Sequence, residues 1–515
     1  MKPSDDLHRL IRAMDKTERG YFKKYAQAYG PAESKNYLML FDAIERMEEY
    51  DEEAILRTFA GEPFIKQLSV AKNYLFDLIL KSLRAYKAQS SKYMRIHALM
   101  ENGEILYDKG LYKQALKTWE KAEKMAATLD EKAYQLDIIL WQRRYYQDLT
   151  SSEWDEKILE TFERSEKLTG DYGRMIAYQR RYFKIFSFMR RMGTIRTEEQ
   201  AAEWKTFMED PLMAKGSEPE DFNGRLMYHY IWYFYYYINM QWDNGLEHIR
   251  TILKLWDANP EIKESTPLYY LAAINNYSLI TLSSRKFDAF FDLTDDLHLP
   301  IMRSISTQAV FCEHLWIINF NRYLIISDFD NLGKHIAEQA EDVKKYSPYF
   351  NKVRKLMIDF GTAEFHFIIG EYALAMQELA EVLDAKDIDL RRDVQAFARI
   401  LYLLIHYEMK NVLHLEHAVR SVKRYLQTRE FYFTFESVFV KYFLQLIDAA
   451  DKHAEKNILV KLKADLEEVM EQNPREKDLL DQLNILHWAE AKLEGISFRE
   501  HLERNPLYLK EERAE

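Results

Sequence analysis

LMENGEILYDKGLYKQALKTWEKA, residues 99–122, reads as two helices joined by a turn at Gly110. Small residues at Gly103, Ala115 and Ala122 let the two helices of one hairpin approach, and bulky ones at Tyr112 and Trp119 fill the gap to a next hairpin. The same order of small, turn and bulky residues returns in FGTAEFHFIIGEYALAMQELAEV, residues 360–382, as Ala363, Gly370, Tyr372, Ala375 and Leu379. Between and beyond these stretches an aromatic or leucine follows a short turn at Trp242, Phe287, Phe329, Tyr372 and Leu415, at intervals of 45, 42, 43 and 43 residues. A fixed interval of that size signals stacked helical hairpins.

The whole chain agrees with an all-α fold. Its 515 residues are 47% hydrophobic and 14% aromatic, enough for several cores. Only 15 glycines and 11 prolines leave little of the turn punctuation that a many-stranded sheet needs. Helix starts are marked by Asn259-Pro260, Ser347-Pro348, Asn473-Pro474 and Asn505-Pro506, and Thr197 to Gln200 reads as a capping box. The longest charge-free stretch, Ser265 to Ser284, carries Pro267, Asn275 and Asn276 and reads as a buried helix, not a membrane span. Cys312 is the single cysteine and cannot form an internal disulfide. The N-terminal segment has charges every few residues and no apolar run of a secretion signal, so a cytoplasmic protein is expected. The net charge of −11 disfavours nucleic acid and anionic membrane as general partners.

The hairpins at residues 95–125 and 225–430 resemble tetratricopeptide repeats, here called TPR-like because Phe290 and Leu332 stand where that family has alanine and because the usual interval is about 34 residues. The first ninety residues resemble the openings of bacterial TPR-like proteins. The resemblance implies a right-handed superhelical solenoid of antiparallel helical hairpins with a period of about 43 residues. It divides the chain into an N-terminal helical region (1–90), TPR-like and degenerate repeats (91–225), regular repeats (226–430) and C-terminal capping helices (431–515). The 130 residues from Tyr112 to Trp242 have room for three further periods.

In that family the first helix of each hairpin lines a concave groove that holds a peptide. Carried onto this sequence, the groove positions are Tyr230, Phe234, Tyr237, Asn275, Ile317, Asn321, Phe360, Glu364 and Phe367. Asparagine suits such a face, since its amide both donates to and accepts from an extended backbone. The stretch Leu226 to Trp242, with six tyrosines and two tryptophans, reads first as an enclosed central helix.

A second candidate surface is electrostatic. Tyr172 to Thr197 holds seven basic residues and no acidic one. At helical spacing Arg174, Arg180, Arg181, Lys184 and Arg191 share one arc, opposite Met175, Tyr178, Tyr182, Phe186 and Met189. Neighbouring acidic helix faces or solvent can absorb that charge; otherwise an acidic protein segment or a nucleic-acid backbone docks there. Likewise the basic stretch Phe64 to His97 is expected to face the acidic stretch Asp42 to Glu62.

No glycine-rich phosphate loop, nucleophile elbow, HExxH or CxxC occurs, so no catalytic residue, metal or cofactor is expected. Asp328 to Gly333 begins like a calcium loop but lacks carboxylates at the later ligand positions and reads as an inter-helix turn. His414 and His417, with His406 nearby, have helical spacing but nothing further to complete a metal site. The expected function is therefore a non-enzymatic scaffold for a protein or peptide, with self-association left open. The alternatives are a peptide-gated regulatory sensor and a nucleic-acid-associated protein using the basic helix.

Overall fold

A computed structural model describes residues 5–29, 34–147, 153–295, 304–384, 391–428, 434–472, 476 and 484–508. Among them there are α-helices and short 3-10 turns and no strand, as the composition predicts. The chain divides into two compact units: Met1–Ile176 with Asn259–Pro267 and Pro300–Gln308, and Ala177–Ala258 with Leu268–Leu299 and Ala309–Glu515.

The first unit begins with α1 (Asp6–Ala13), α2 (Lys16–Tyr29), α3 (Ser34–Glu45), α4 (Glu52–Thr58) and α5 (Leu68–Ser90). Their core is built on Ile11, Phe22, Phe41, Ile44, Leu75 and Ile79, all fully buried. The acidic stretch meets α2 as much as α5: Arg19 and Lys23 hold Glu45 at 3.1 and 3.0 Å, whereas Lys72 holds Glu52 at 2.8 Å. The expectation that residues 42–62 face residues 64–97 is thus met only in part, because α2 also packs on α3. Next come α6 (Lys92–Asp108), α7 (Tyr112–Thr128) and α8 (Lys132–Gln147), each packed on the one before. In the α6–α7 hairpin Trp119 is fully buried against Gly103, and its indole N–H donates to the Met100 carbonyl at 3.3 Å. The division between units falls within α9 (Glu153–Met192), a helix of 40 residues. That single helix takes up 40 of the 130 residues between Tyr112 and Trp242, where the sequence is read as degenerate repeats.

The second unit continues with α10 (Glu198–Met208), α11 (Phe222–Ile238) and α12 (Trp242–Ala258). After α13 (Pro260–Ser265), which belongs to the first unit, follow α14 (Pro267–Ser283), α15 (Phe287–Asp295), α16 (Ile305–Ile325), α17 (Phe329–Tyr346), α18 (Lys352–Ile368) and α19 (Tyr372–Leu383). The chain closes with α20 (Arg392–Glu408), α21 (Val412–Thr428), α22 (Thr434–Ile447), α23 (Lys452–Gln472), α24 (Ile485–Glu494) and α25 (Phe498–Arg504).

One turn geometry explains the repeat. Gly110 in the first unit, and Met240, Arg285, Ser327, Gly370 and Lys410 in the second, all have positive φ, between 54 and 85°. At each, the turn residue's N–H bonds the carbonyl three back and the next N–H the carbonyl five back, as in Gly370 to Phe367 (3.2 Å) and Glu371 to His366 (2.8 Å). This is the Schellman closure of a helix C-terminus. The second helix starts two residues later, at Tyr112, Trp242, Phe287, Phe329, Tyr372 and Val412. Leu415 is therefore three residues out of phase: it is the buried residue, 2% exposed, whereas the turn sets the helix start at Val412, which is 50% exposed. Four of the six positions are not glycine, which is why the turns are hard to see in the sequence.

Local start signals mostly hold. Thr197 forms both arms of its capping box with Gln200; Asp328 to Gly333, expected as an inter-helix turn, is instead the cap and first turn of α17, with the Asn331 N–H donating to the Asp328 carboxylate at 3.1 Å. Asn259-Pro260 opens α13 and Ser347-Pro348 a 3-10 turn. Asn505-Pro506 instead ends a helix, with the Asn505 amide returning to the His501 carbonyl at 3.0 Å. Asn473-Pro474 lies outside the described residues.

The C-terminal helices pack back on their own unit. α24 packs on α23 and α25 on α24, and both turn back toward the earlier helices of their unit. Trp488 donates to Glu408 on α20 at 2.7 Å, Phe498 meets Phe367 on α18 at 5.7 Å between ring centres, and the Tyr508 N–H bonds the Ile325 carbonyl at 3.0 Å.

Candidate functional site

The three positions on α18 line one small cavity, and the chain's own C-terminal segment forms part of its wall. Phe360, Glu364 and Phe367 line a small cavity with Ile400, Leu401 and Leu404 of α20 and with Asn484, Trp488 and Phe498 of the C-terminal segment. The helical period places Phe360, Glu364 and Phe367 on one face of α18. Burial pushes the Glu364 carboxyl up to about 7, against a hydrogen bond from Asn484 that favours the charged form. Trp488 is fixed by its bond to Glu408, and Lys492 also pairs with that carboxylate.

Farther along the same unit the site is polar and basic. Asn275 on α14 accepts from the Arg354 guanidinium of α18 at 3.1 Å, and His314 on α16 faces Arg354 through Nε2 at 3.4 Å. His314 Nδ1 lies 2.7 Å from the Val310 carbonyl and so carries the proton, leaving Nε2 as an acceptor. Burial first, then Arg354, presses the His314 imidazole down to about 3. Glu313, pushed up to about 7 by burial, accepts the Asn351 N–H at 2.8 Å. Burial, with the nearby guanidiniums of Arg391 and Arg190, lowers Arg354 to about 10 despite Glu313. Arg391 is in turn held by Asp393 at 2.7 Å, and its N–H bonds the Arg190 carbonyl at 3.0 Å. Three arginines thus gather where the sequence pointed only to Asn275.

Tyr230 and Phe234 on α11 are buried, 6% and 1% exposed, against Tyr182 and Phe186 of α9. They act as packing in this conformation, in keeping with the enclosed reading of the aromatic stretch. Tyr237 is half-buried and stacks edge-on to Trp242. Ile317 packs in the core of α16 to α18, and the Asn321 amide donates to the Ile317 carbonyl at 2.8 Å within its own helix.

The basic arc of α9 is partly neutralised. Arg181 pairs with Asp210 and donates to the Phe207 carbonyl at 2.9 Å, while Lys184 lies over the Trp204 and Phe207 rings. Arg174, in the first unit, pairs with Asp171. Arg180 and Arg191 are exposed. The apolar side of the arc is as drawn for Tyr178, 2% exposed, whose hydroxyl donates to the Leu212 carbonyl at 3.0 Å.

Cys312 is buried, and burial pushes its thiol up to about 11, so it is poorly nucleophilic. His406 and His414 lie on different helices, on either side of the Lys410 turn, with ring centres 4.6 Å apart; Nε2 of His414 meets the Tyr402 hydroxyl at 2.9 Å. His417 is exposed. No helix among the described residues is long and apolar enough to cross a membrane.

The sequence matches no protein-family model and no curated protein. Two features of the site were not anticipated from sequence. The arginines lie one each on α9, α18 and the start of α20 and become neighbours only by folding. For the C-terminal segment, Trp488 in the polar stretch 451–515 was the available signal, since a lone tryptophan there needs something to cover it.

Proposed function

We propose that this chain is a non-enzymatic TPR-like scaffold that holds a polypeptide segment along the face formed by α11, α14, α16, α18 and α20. The observation that carries this reading is the cavity on α18: a segment more than a hundred residues away in sequence already rests there through Trp488 and Phe498. A face that accepts aromatic side chains from one helical segment has the chemistry to accept another. Upstream of that contact lie Tyr237, Asn275, Arg354 and Arg391. Arg354 hydrogen-bonds two neutral partners, Asn275 and His314, and the carboxyl of Glu313, which interacts with it electrostatically, is pushed up to about 7 by burial. A carboxylate-bearing segment suits this end, because a guanidinium forms charge-assisted bonds to carboxylates that are stronger than those to neutral acceptors.

Fluorescence anisotropy with a labelled peptide rich in glutamate, its lysine counterpart and its amidated form tests the reading. The acidic peptide should bind, less tightly at high salt, and Arg354→Gln, which keeps an amide for Asn275, should weaken it about tenfold or more. Equal binding of acidic and basic peptides, or indifference to Arg354→Gln, would sink the assignment. The basic arc of α9 supports nucleic-acid binding less, since two of its five side chains already meet Asp residues.

A further inference from the structure

On α24, His487 and Glu490 lie one turn apart, and the left-handed turn at Gly495 (φ 74°) brings His501 of α25 onto them. His487 Nδ1 is 3.3 Å from His501 Nε2, His501 Nε2 is 3.3 Å from Glu490 Oε2, and that oxygen is 3.5 Å from His487 Nδ1. The three atoms form a nearly equilateral triangle. An ion that holds nitrogen and oxygen donors tetrahedrally at about 2.0–2.2 Å separates those donors by about 3.3–3.5 Å.

The surroundings fit the same reading. His501 is 3% exposed, and its other nitrogen, Nδ1, lies 3.1 Å from Glu494 Oε2. A proton on Nδ1, donated to Glu494, leaves the Nε2 lone pair pointing at Glu490 and His487, as in the carboxylate–histidine–metal relay. Lys463 takes the second oxygen of Glu490 at 2.7 Å, which orients the carboxylate and leaves Oε2 for the triangle. Lone pairs that converge this closely need a cation or a proton between them.

We propose that His487, Glu490 and His501 bind a divalent transition ion of the zinc class, with Glu494 as a positioning residue. Two imidazoles and one carboxylate select such an ion over calcium or magnesium, which take oxygen donors. Three protein donors leave a fourth position for water. The ion would clasp α24 to α25, the helices that carry Trp488 and Phe498. The inference stands without the scaffold reading, since it uses only these two helices and Lys463.

The test uses the full chain, stripped with a chelator and titrated with zinc by calorimetry and with cobalt by visible absorption. One equivalent should bind, cobalt should give the intense ligand-field bands of a four-coordinate site, and the melting temperature should rise. His487→Ala alters a half-exposed side chain and should fold normally while weakening binding by about tenfold or more. Glu494→Gln should weaken it less and leave the stoichiometry unchanged. If the stripped protein takes up neither ion, a proton fills the triangle and the proposal is wrong. It is equally wrong if His487→Ala and Glu490→Gln bind as the wild type does, which would place the ion elsewhere.

Discussion

Glu364→Gln should make the protein more stable at pH 8 and leave it unchanged at pH 4. Glu364 sits between α18 and the C-terminal segment, where burial moves its carboxyl from an ordinary value of 4.5 to about 7. The folded chain therefore keeps this proton longer than the unfolded chain does. Below about pH 4.5 the side chain is protonated in both states and costs nothing; as the pH rises toward 7 the unfolded state gains by ionising and stability falls. That rise, at about 1.4 kcal/mol per pH unit, sets an upper bound of about 3 kcal/mol at pH 8. Partial exposure of Glu364 reduces the expected effect to about 1–2 kcal/mol. Glutamine keeps an acceptor for Asn484 and has no proton to lose. Urea unfolding of both proteins at pH 4 and pH 8 measures the difference. A variant no more stable than wild type at pH 8, or equally more stable at both values, would refute the burial argument.

Two further outcomes concern packing. Arg196 and Glu436 form a buried pair, 3.0 Å apart and with side chains 5% and 0% exposed; Arg196→Met should cost about 3–5 kcal/mol, and adding Glu436→Leu should recover most of it. Additive costs in that double-mutant cycle would show that the pair is not coupled. Gly103→Ala should destabilise the α6–α7 hairpin by about 1–3 kcal/mol despite the better helix propensity of alanine, because its Cβ would run into the buried indole of Trp119. A melting temperature equal to or above that of the wild type would show that Trp119 has room to move.

Helices, their turns and their caps were legible in the sequence because each depends on residues within a few positions. The hairpin of residues 360–382, with its turn at Gly370, and the capping box at Thr197 appear where their local chemistry puts them. Phase was blurred at Val412, where Lys410 adopts the left-handed turn that glycine takes at position 370. Of the 40-residue helix α9 only the part from Tyr172 onward is legible as a helix, from its basic and apolar arcs; its full length is not, because no local signal marks how far a helix continues.

What the sequence determined by itself, then, is that the chain must be helical and that many helices must bury one face. Only the tertiary structure decided which face covers which. Hydropathy states that Trp488 and Phe498 need cover but not that Glu408 and Phe367, 80 and 131 residues earlier, provide it. The same holds for charge: Arg190, Arg354 and Arg391 are unremarkable one by one, and His487, Glu490 and His501 become a triangle only when Gly495 folds α25 back. Local propensity is a property of neighbours in sequence, whereas a site is a property of neighbours in space, and packing of long helices is what converts one into the other.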